Sequence, residues 1–237
     1  MQGANDTSPV LILGMHRSGT SCLAGCLEQA GLILGAVDRV GSPFNRKGNR
    51  ENRAVMEFND RVLARAGAAW DRPPHGEIRF TAEETAELRG LLAHYAAGAA
   101  WGLKDPRLLL LFEAWSGEIR PRLVGTFRHP AEVITSLMAR AQAWGAPMNE
   151  ARALALWRDY NERLLRIHQA RPFPLLRYDQ EPARYQAAVL RLAEMLGLPG
   201  TVEQSFFDAT LRSKVAADAP IAGAVQALWD ALLARAM

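Results

Sequence analysis

Val10 to Ser21 reads VLILGMHRSGTS, and no other stretch of the chain concentrates as much chemistry. Four residues separate Gly14 from Gly19, the spacing that opens a Walker A phosphate loop. A nucleotide triphosphatase would place lysine next; here Thr20 and Ser21 follow, and the cation is Arg17, inside the loop. A glycine-rich turn between strand and helix aims backbone N–H groups into one concavity, and the helix N-terminus adds partial positive charge. Arg17 adds a permanent charge whose planar fork suits phosphate or sulfate oxygens. The competing reading is an ordinary strand–turn–helix in which Thr20 and Ser21 only cap the helix. The absent lysine removes the group that reaches the β- and γ-phosphates in a metal–triphosphate mechanism. No strand ends in a Walker B aspartate either, since RLVGTF at 122–127 leads into Arg128. A donor whose phosphates are gripped directly, without magnesium, fits these residues better.

Strands and helices alternate around that loop. Val10–Leu13 is a short apolar run ending in Gly, as a buried strand would be, and a helix from about Thr20 stops near Gly31. GSPFNRKGNREN reads as a loop. The pattern Val55, Phe58, Val62, Leu63 predicts a helix over Arg53–Ala66. Thr81 and Glu84 form a capping box ahead of AEETAELRGLLAHYA. WGLKDPR offers a short strand, and RLVGTF a clear one leading into a helix begun by Pro130. Helices over Ala151–Gln169, Ala183–Leu196 and Ala222–Ala236, and a strand FPLLRY at 173–178, complete the pattern. The expected fold is α/β, a P-loop-like parallel sheet flanked by helices on both faces in a single domain, residues 9–237, after a disordered tail of residues 1–8. Ligands of such sheets sit at the carboxyl ends of the strands. Gly14–Ser18, Lys104–Arg107 and Arg128 all fall at such ends, which predicts one composite site.

The bulk numbers agree with a globular chain. It has 237 residues, nearly half of them apolar, 22% charged, and a net charge of +3. That charge permits an anionic ligand but shows no clustered footprint for nucleic acid. No segment has the length of a membrane span or a secretory signal, so a cytoplasmic protein is expected. Cys22 and Cys26, the only cysteines, lie i,i+4 on a helix and read as core-facing. The five histidines lack metal-ligand spacing, and no Gly-x-Ser-x-Gly elbow is present.

GMHRSGTS resembles the 5′-phosphosulfate loop of the sulfotransferases that use 3′-phosphoadenosine 5′-phosphosulfate (PAPS). VGTFRHPAEVITSLMAR resembles that family's second signature, an Arg at a strand end with a Ser eight residues on, here Arg128 and Ser136. WGLKDPR is similar to a lysine–aspartate–proline segment of the carbohydrate and protein-tyrosine branches, and RYDQ at 177–180 to a strand end that follows in the family. The motifs run in family order from residue 10 to about 180, as in a bacterial member nearer those branches than the phenol type.

The resemblance implies PAPS as co-substrate, 3′-phosphoadenosine 5′-phosphate (PAP) as product, and no metal. It implies that the loop His16, Arg17, Ser18, Gly19, Thr20, Ser21 holds the 5′-phosphate, with Arg17 over the sulfonate and leaving oxygen. Arg128 and Ser136 would hold the 3′-phosphate, with Tyr178 a donor contact or a core residue. Glu51 matches the position of a catalytic glutamate, against the plainer reading of a residue placed by the helix dipole. His16 and His129 are alternative bases. Lys104 would steady the transferring group, its plainer alternative being a salt bridge to Asp105. The sequence departs from the pattern at Arg17, where many members carry Lys, and in the C-terminal basic segment, where only TLRSK, with Arg212 and Lys214, is found. Trp144 is the candidate for stacking on adenine. A P-loop kinase and an inactive PAP-binding relative are the alternatives. The acceptor, a small molecule or a glycan, would lie against 35–50, 67–80 and 142–148, and the last helix could pack on the core or make a homodimer.

Overall fold

The computed structural model describes residues 8–95, 99–200, 206–208, 210, 221 and 223–237. Four parallel strands make its sheet: β1 (Val10–Leu13), β2 (Gly102–Lys104), β3 (Arg122–Phe127) and β4 (Leu175–Arg177), in the order β2-β1-β3-β4. The chain leaves β1 towards β2 on one side and later crosses to β3 on the other. The crevice beyond the carboxyl ends of β1 and β3 is therefore the topological switch point, where such sheets bind ligands.

Alternation along β1 builds two cores. Val10 and Ile12 face helices α1 (Thr20–Gln29) and α7 (Pro182–Met195), through Leu23, Leu27, Tyr185, Val189 and Leu192. Leu11 and Leu13 face the larger layer, in which α2 (Arg53–Arg65), α3 (Ala82–Leu92), α4 (Phe112–Glu118), α5 (Pro130–Ala143), α6 (Glu150–Ala170) and α8 (Gly223–Leu233) contribute Phe58, Leu88, Trp115, Leu137, Trp157 and Trp229. A strand with both faces covered has to be apolar at every position, and β1 is buried throughout.

Local chemistry sets the ends. Thr81 and Glu84 form the expected capping box, and Asn52 caps α2 by accepting from Ala54 and Val55. Pro130 and Pro182 occupy first turns, where a missing N–H goes unnoticed. Some expectations ran long. The FPLLRY strand pairs only over Leu175–Arg177, against Gly125–Phe127 of β3. The helix expected across AEETAELRGLLAHYA ends at Leu92. The 3-10 turn Pro106–Leu109 and helix α4 were not foreseen; their anchor is a buried network, in which Asn59 donates to Asp105 and accepts from the Trp115 indole N–H. Residues 1–7 of the expected tail, and Arg212 and Lys214, lie outside the described residues.

Candidate active site

The loop after β1 is shaped by two glycines and one arginine in left-handed backbone. At Gly14, φ 155°, an added Cβ would lie 2.6 Å from the Thr126 carbonyl oxygen, so the close approach of β3 demands glycine. At Gly19, φ 85°, a Cβ would sit 2.3 Å from the Tyr178 ring. Arg17 has φ 66°, a conformation that strains a residue with a Cβ. Two hydrogen bonds hold it there: Nε donates to Ser136 Oγ at 2.8 Å, and a terminal nitrogen donates to the Phe44 carbonyl at 2.7 Å. The α1 ladder begins with Leu23 donating to Gly19, so the N–H groups ahead of it have no acceptor within the helix. They open on a cleft of about 420 Å³.

Arg17, Gly19, Thr20, Ser21, Arg128, Ser136 and Tyr178 all line that cleft, brought together from the loops and helices that follow three strands. Arg128 bonds Glu132 at 2.5 Å and the Arg17 carbonyl at 3.2 Å, and lies over the Tyr178 ring at 5.3 Å. Burial, reinforced by the neighbouring charges of Arg140 and Arg128, pushes the Arg17 guanidinium down to about 10. Cations crowded this closely favour an anion between them. Sequence reasoning missed Phe206 and Lys47, which line the same cleft and touch each other, the Lys47 ammonium lying 5.1 Å from the ring centre. Neither stands in a motif; only the packing of Gly25 under Phe206 betrays it.

His16 and Ser18 of the loop point elsewhere. Ser18 is fully buried, its Oγ without a partner among the described residues and its carbonyl accepting from Thr126. His16 packs on Trp70 with ring centres 4.7 Å apart. Burial first, then Arg107, Arg140, Lys104 and Arg17, hold its pKa well below the usual value, so it is neutral at pH 7. His129 caps α5, its Nδ1 accepting from Ala131, and packs on Trp229.

Glu51 and Lys104, far apart in sequence, form an ion pair at 2.6 Å with side chains 13% and 2% exposed. Lys104 thus pairs with Glu51 and not with Asp105, which instead binds Arg107 and Asn59. The pair does not line the cleft but is joined to it. The Asn49 carbonyl accepts from Lys104 Nζ and from Ser21 Oγ, each at 3.0 Å, one link that no motif announced. Trp144 is absent from the cleft lining and lies against Arg140 and Phe44.

Among the described residues, no group of His, Cys, Asp and Glu is arranged to hold a metal, and no helix is long and apolar enough to cross a membrane. No family model and no curated protein matches the chain. Two solved structures are similar. One is a sulfotransferase domain from the curacin biosynthetic pathway, 17% identical with a TM-score of 0.52, covering 86% of this chain and 76% of that one. The other is a sulfotransferase domain from the Synechococcus PCC 7002 olefin synthase, 17% identical with a TM-score of 0.50, covering 100% and 91%. The chain therefore has the fold of sulfotransferase domains, a single α/β domain with a parallel sheet between helical layers.

Proposed function

We propose that the protein is a sulfotransferase that moves a sulfuryl group from PAPS to a hydroxyl or amine of its acceptor. The observation that carries this reading is the convergence of Arg17, the α1 N-terminus, Arg128 and Ser136 on one cleft at the switch point, in the fold of sulfotransferase domains. The residues present fit the donor: one anion site at a helix N-terminus, and a second beside an arginine and a serine hydroxyl. When bound, PAPS supplies the sulfuryl group and a phosphate-linked leaving oxygen.

In this reading the N–H groups of the α1 first turn, with Thr20 and Ser21, hold the 5′-phosphate. Arg17 neutralises charge gathering on the leaving oxygen, where a preorganised guanidinium needs no reorganisation. Arg128 and Ser136 hold the 3′-phosphate, which ATP lacks. Phe206, in the same cleft, takes the adenine-side position first assigned to Trp144. Glu51 takes the acceptor proton on Oε2, since Oε1 is occupied by Lys104. Lys104 positions that carboxylate and, through Asn49, couples it to Ser21 of the donor loop.

Calorimetry without magnesium, comparing PAP with ATP, tests the assignment. Tight binding of PAP and none of ATP is expected. Binding that requires ATP and magnesium would replace it with a kinase, and PAP binding without turnover on any acceptor would leave an inactive relative.

A further inference from the structure

Arg140 stands one helical turn beyond Ser136 on α5 and is half-buried. Its guanidinium lies between two tryptophans, 5.1 Å from the Trp70 ring centre and 5.2 Å from that of Trp144. Cation–π contacts place the charge over a ring and use no oxygen acceptor for the N–H groups. Every other buried or half-buried arginine among the described residues donates to a carboxylate or carbonyl oxygen, as Arg17, Arg107, Arg152 and Arg163 do. The Arg140 side chain makes no hydrogen bond or ion pair with any described residue; its contacts are the two rings. A half-buried guanidinium flanked by aromatic rings has the fork geometry to receive a carboxylate or phosphate.

Its surroundings say which anion. Arg140 is not among the residues that line the donor cleft, whereas Ser136, one turn earlier on the same helix, is. It lies within electrostatic reach of Glu51 and of Arg17, against Trp70 and Trp144, and Trp144 in turn meets Phe44 at the edge of the donor cleft. His16 also packs on Trp70, and its Nε2 is buried without a hydrogen-bond partner among the described residues. Arg107 and Lys104 are already matched by Asp60, Asp105 and Glu51.

Resting on the sulfotransferase reading, we infer that the acceptor is itself an anion: a hydroxy compound whose carboxylate or phosphate is gripped in the plane of Arg140 between Trp70 and Trp144. That grip sets the acceptor hydroxyl towards Glu51, and Arg140 determines specificity without touching the reacting atoms.

Benzoate, phenyl phosphate and neutral benzyl alcohol, titrated by tryptophan fluorescence with and without saturating PAP, test this on the whole protein. With PAP filling the donor cleft, at least one of the two anions is expected to bind tenfold or more tighter than the alcohol, and the better of them names the group. Arg140→Gln should erase that preference while PAP affinity changes less than twofold, which also verifies folding. Arg140→Lys, which keeps the charge but not the fork, should fall between. Equal binding of alcohol and anions, or a preference that survives Arg140→Gln, overturns the inference. So does a loss of PAP affinity in Arg140→Gln as large as the loss for the anion, which would make Arg140 part of the donor grip. If the wild-type protein fails to bind PAP, the donor reading falls on that titration alone, while the anion titration without PAP still judges Arg140.

Discussion

At Glu51 one carboxylate oxygen is taken by Lys104 and the other has no hydrogen bond among the described residues. Removing the charge but not the shape separates binding from chemistry. Glu51→Gln should leave PAP affinity unchanged and slow transfer by roughly 10²–10⁴-fold, the usual worth of a positioned base; turnover at the wild-type rate would place the base elsewhere. The donor side has its own residue-scale test. Arg128→Ala should weaken PAP far more than adenosine 5′-phosphate, because only the former carries the phosphate assigned to Arg128 and Ser136. Equal losses would sink that assignment. His16 makes a third case through pH. Its folded pKa lies well below the usual value because burial and four nearby cations oppose protonation. The unfolded chain therefore binds a proton on this histidine, near pH 6.5, that the folded chain refuses, so stability is full above that pH and falls as pH drops below it. His129 and His168, also lowered chiefly by burial, act with the same sign. Urea denaturation at pH 7 and pH 5 should show the loss, at most about 1.4 kcal/mol per pH unit for each histidine, and His16→Asn should flatten the slope.

At the scale of elements, the site depends on how tightly the β1–α1 loop is pressed between β3 and the start of the α7 segment. Gly14 and Gly19 were legible as turn glycines, yet the reason each is needed is a neighbour far along the chain, Thr126 in one case and Tyr178 in the other. Gly19→Ala should therefore do more than strain one residue. The new Cβ has no room against the Tyr178 ring, so PAP affinity should fall at least tenfold, measured by calorimetry, even if the protein still folds. The 3-10 turn and α4 escaped the sequence because neither is marked by a hydrophobic period. They are held by Asn59, Asp105 and Trp115, three residues from distant segments whose hydrogen bonds are all buried.

At the scale of the molecule, the C-terminal helix closes the larger core. Trp229 contacts Phe127, His129 and Trp157 and lies under the Arg177 guanidinium, so α8 packs on its own chain beside the strand ends that carry the site. The Met237 amide continues this by donating to the Leu175 carbonyl of β4. Trp229→Ala should destabilise the protein by about 3–5 kcal/mol, the range for emptying a tryptophan site in a core, and should reduce PAP binding as well because β3 leads directly into Arg128. An unchanged unfolding midpoint would show that α8 is not part of the cooperative unit.

The resemblance singled out Ser136, Glu51 and Lys104; the sequence by itself determined the alternation of strands and helices and the placing of Arg17 and Arg128 at strand ends. Those are local properties: glycine spacing, apolar period, proline and capping residues act within one or two turns. Only the tertiary structure decided that Lys104 holds Glu51 and not Asp105, that Asn49 ties this pair to Ser21, and that Trp144 flanks Arg140 and does not line the cleft. Each of those contacts joins residues tens of positions apart. A buried charge takes whichever counter-charge the packing brings within reach, and sequence spacing says nothing about which one arrives.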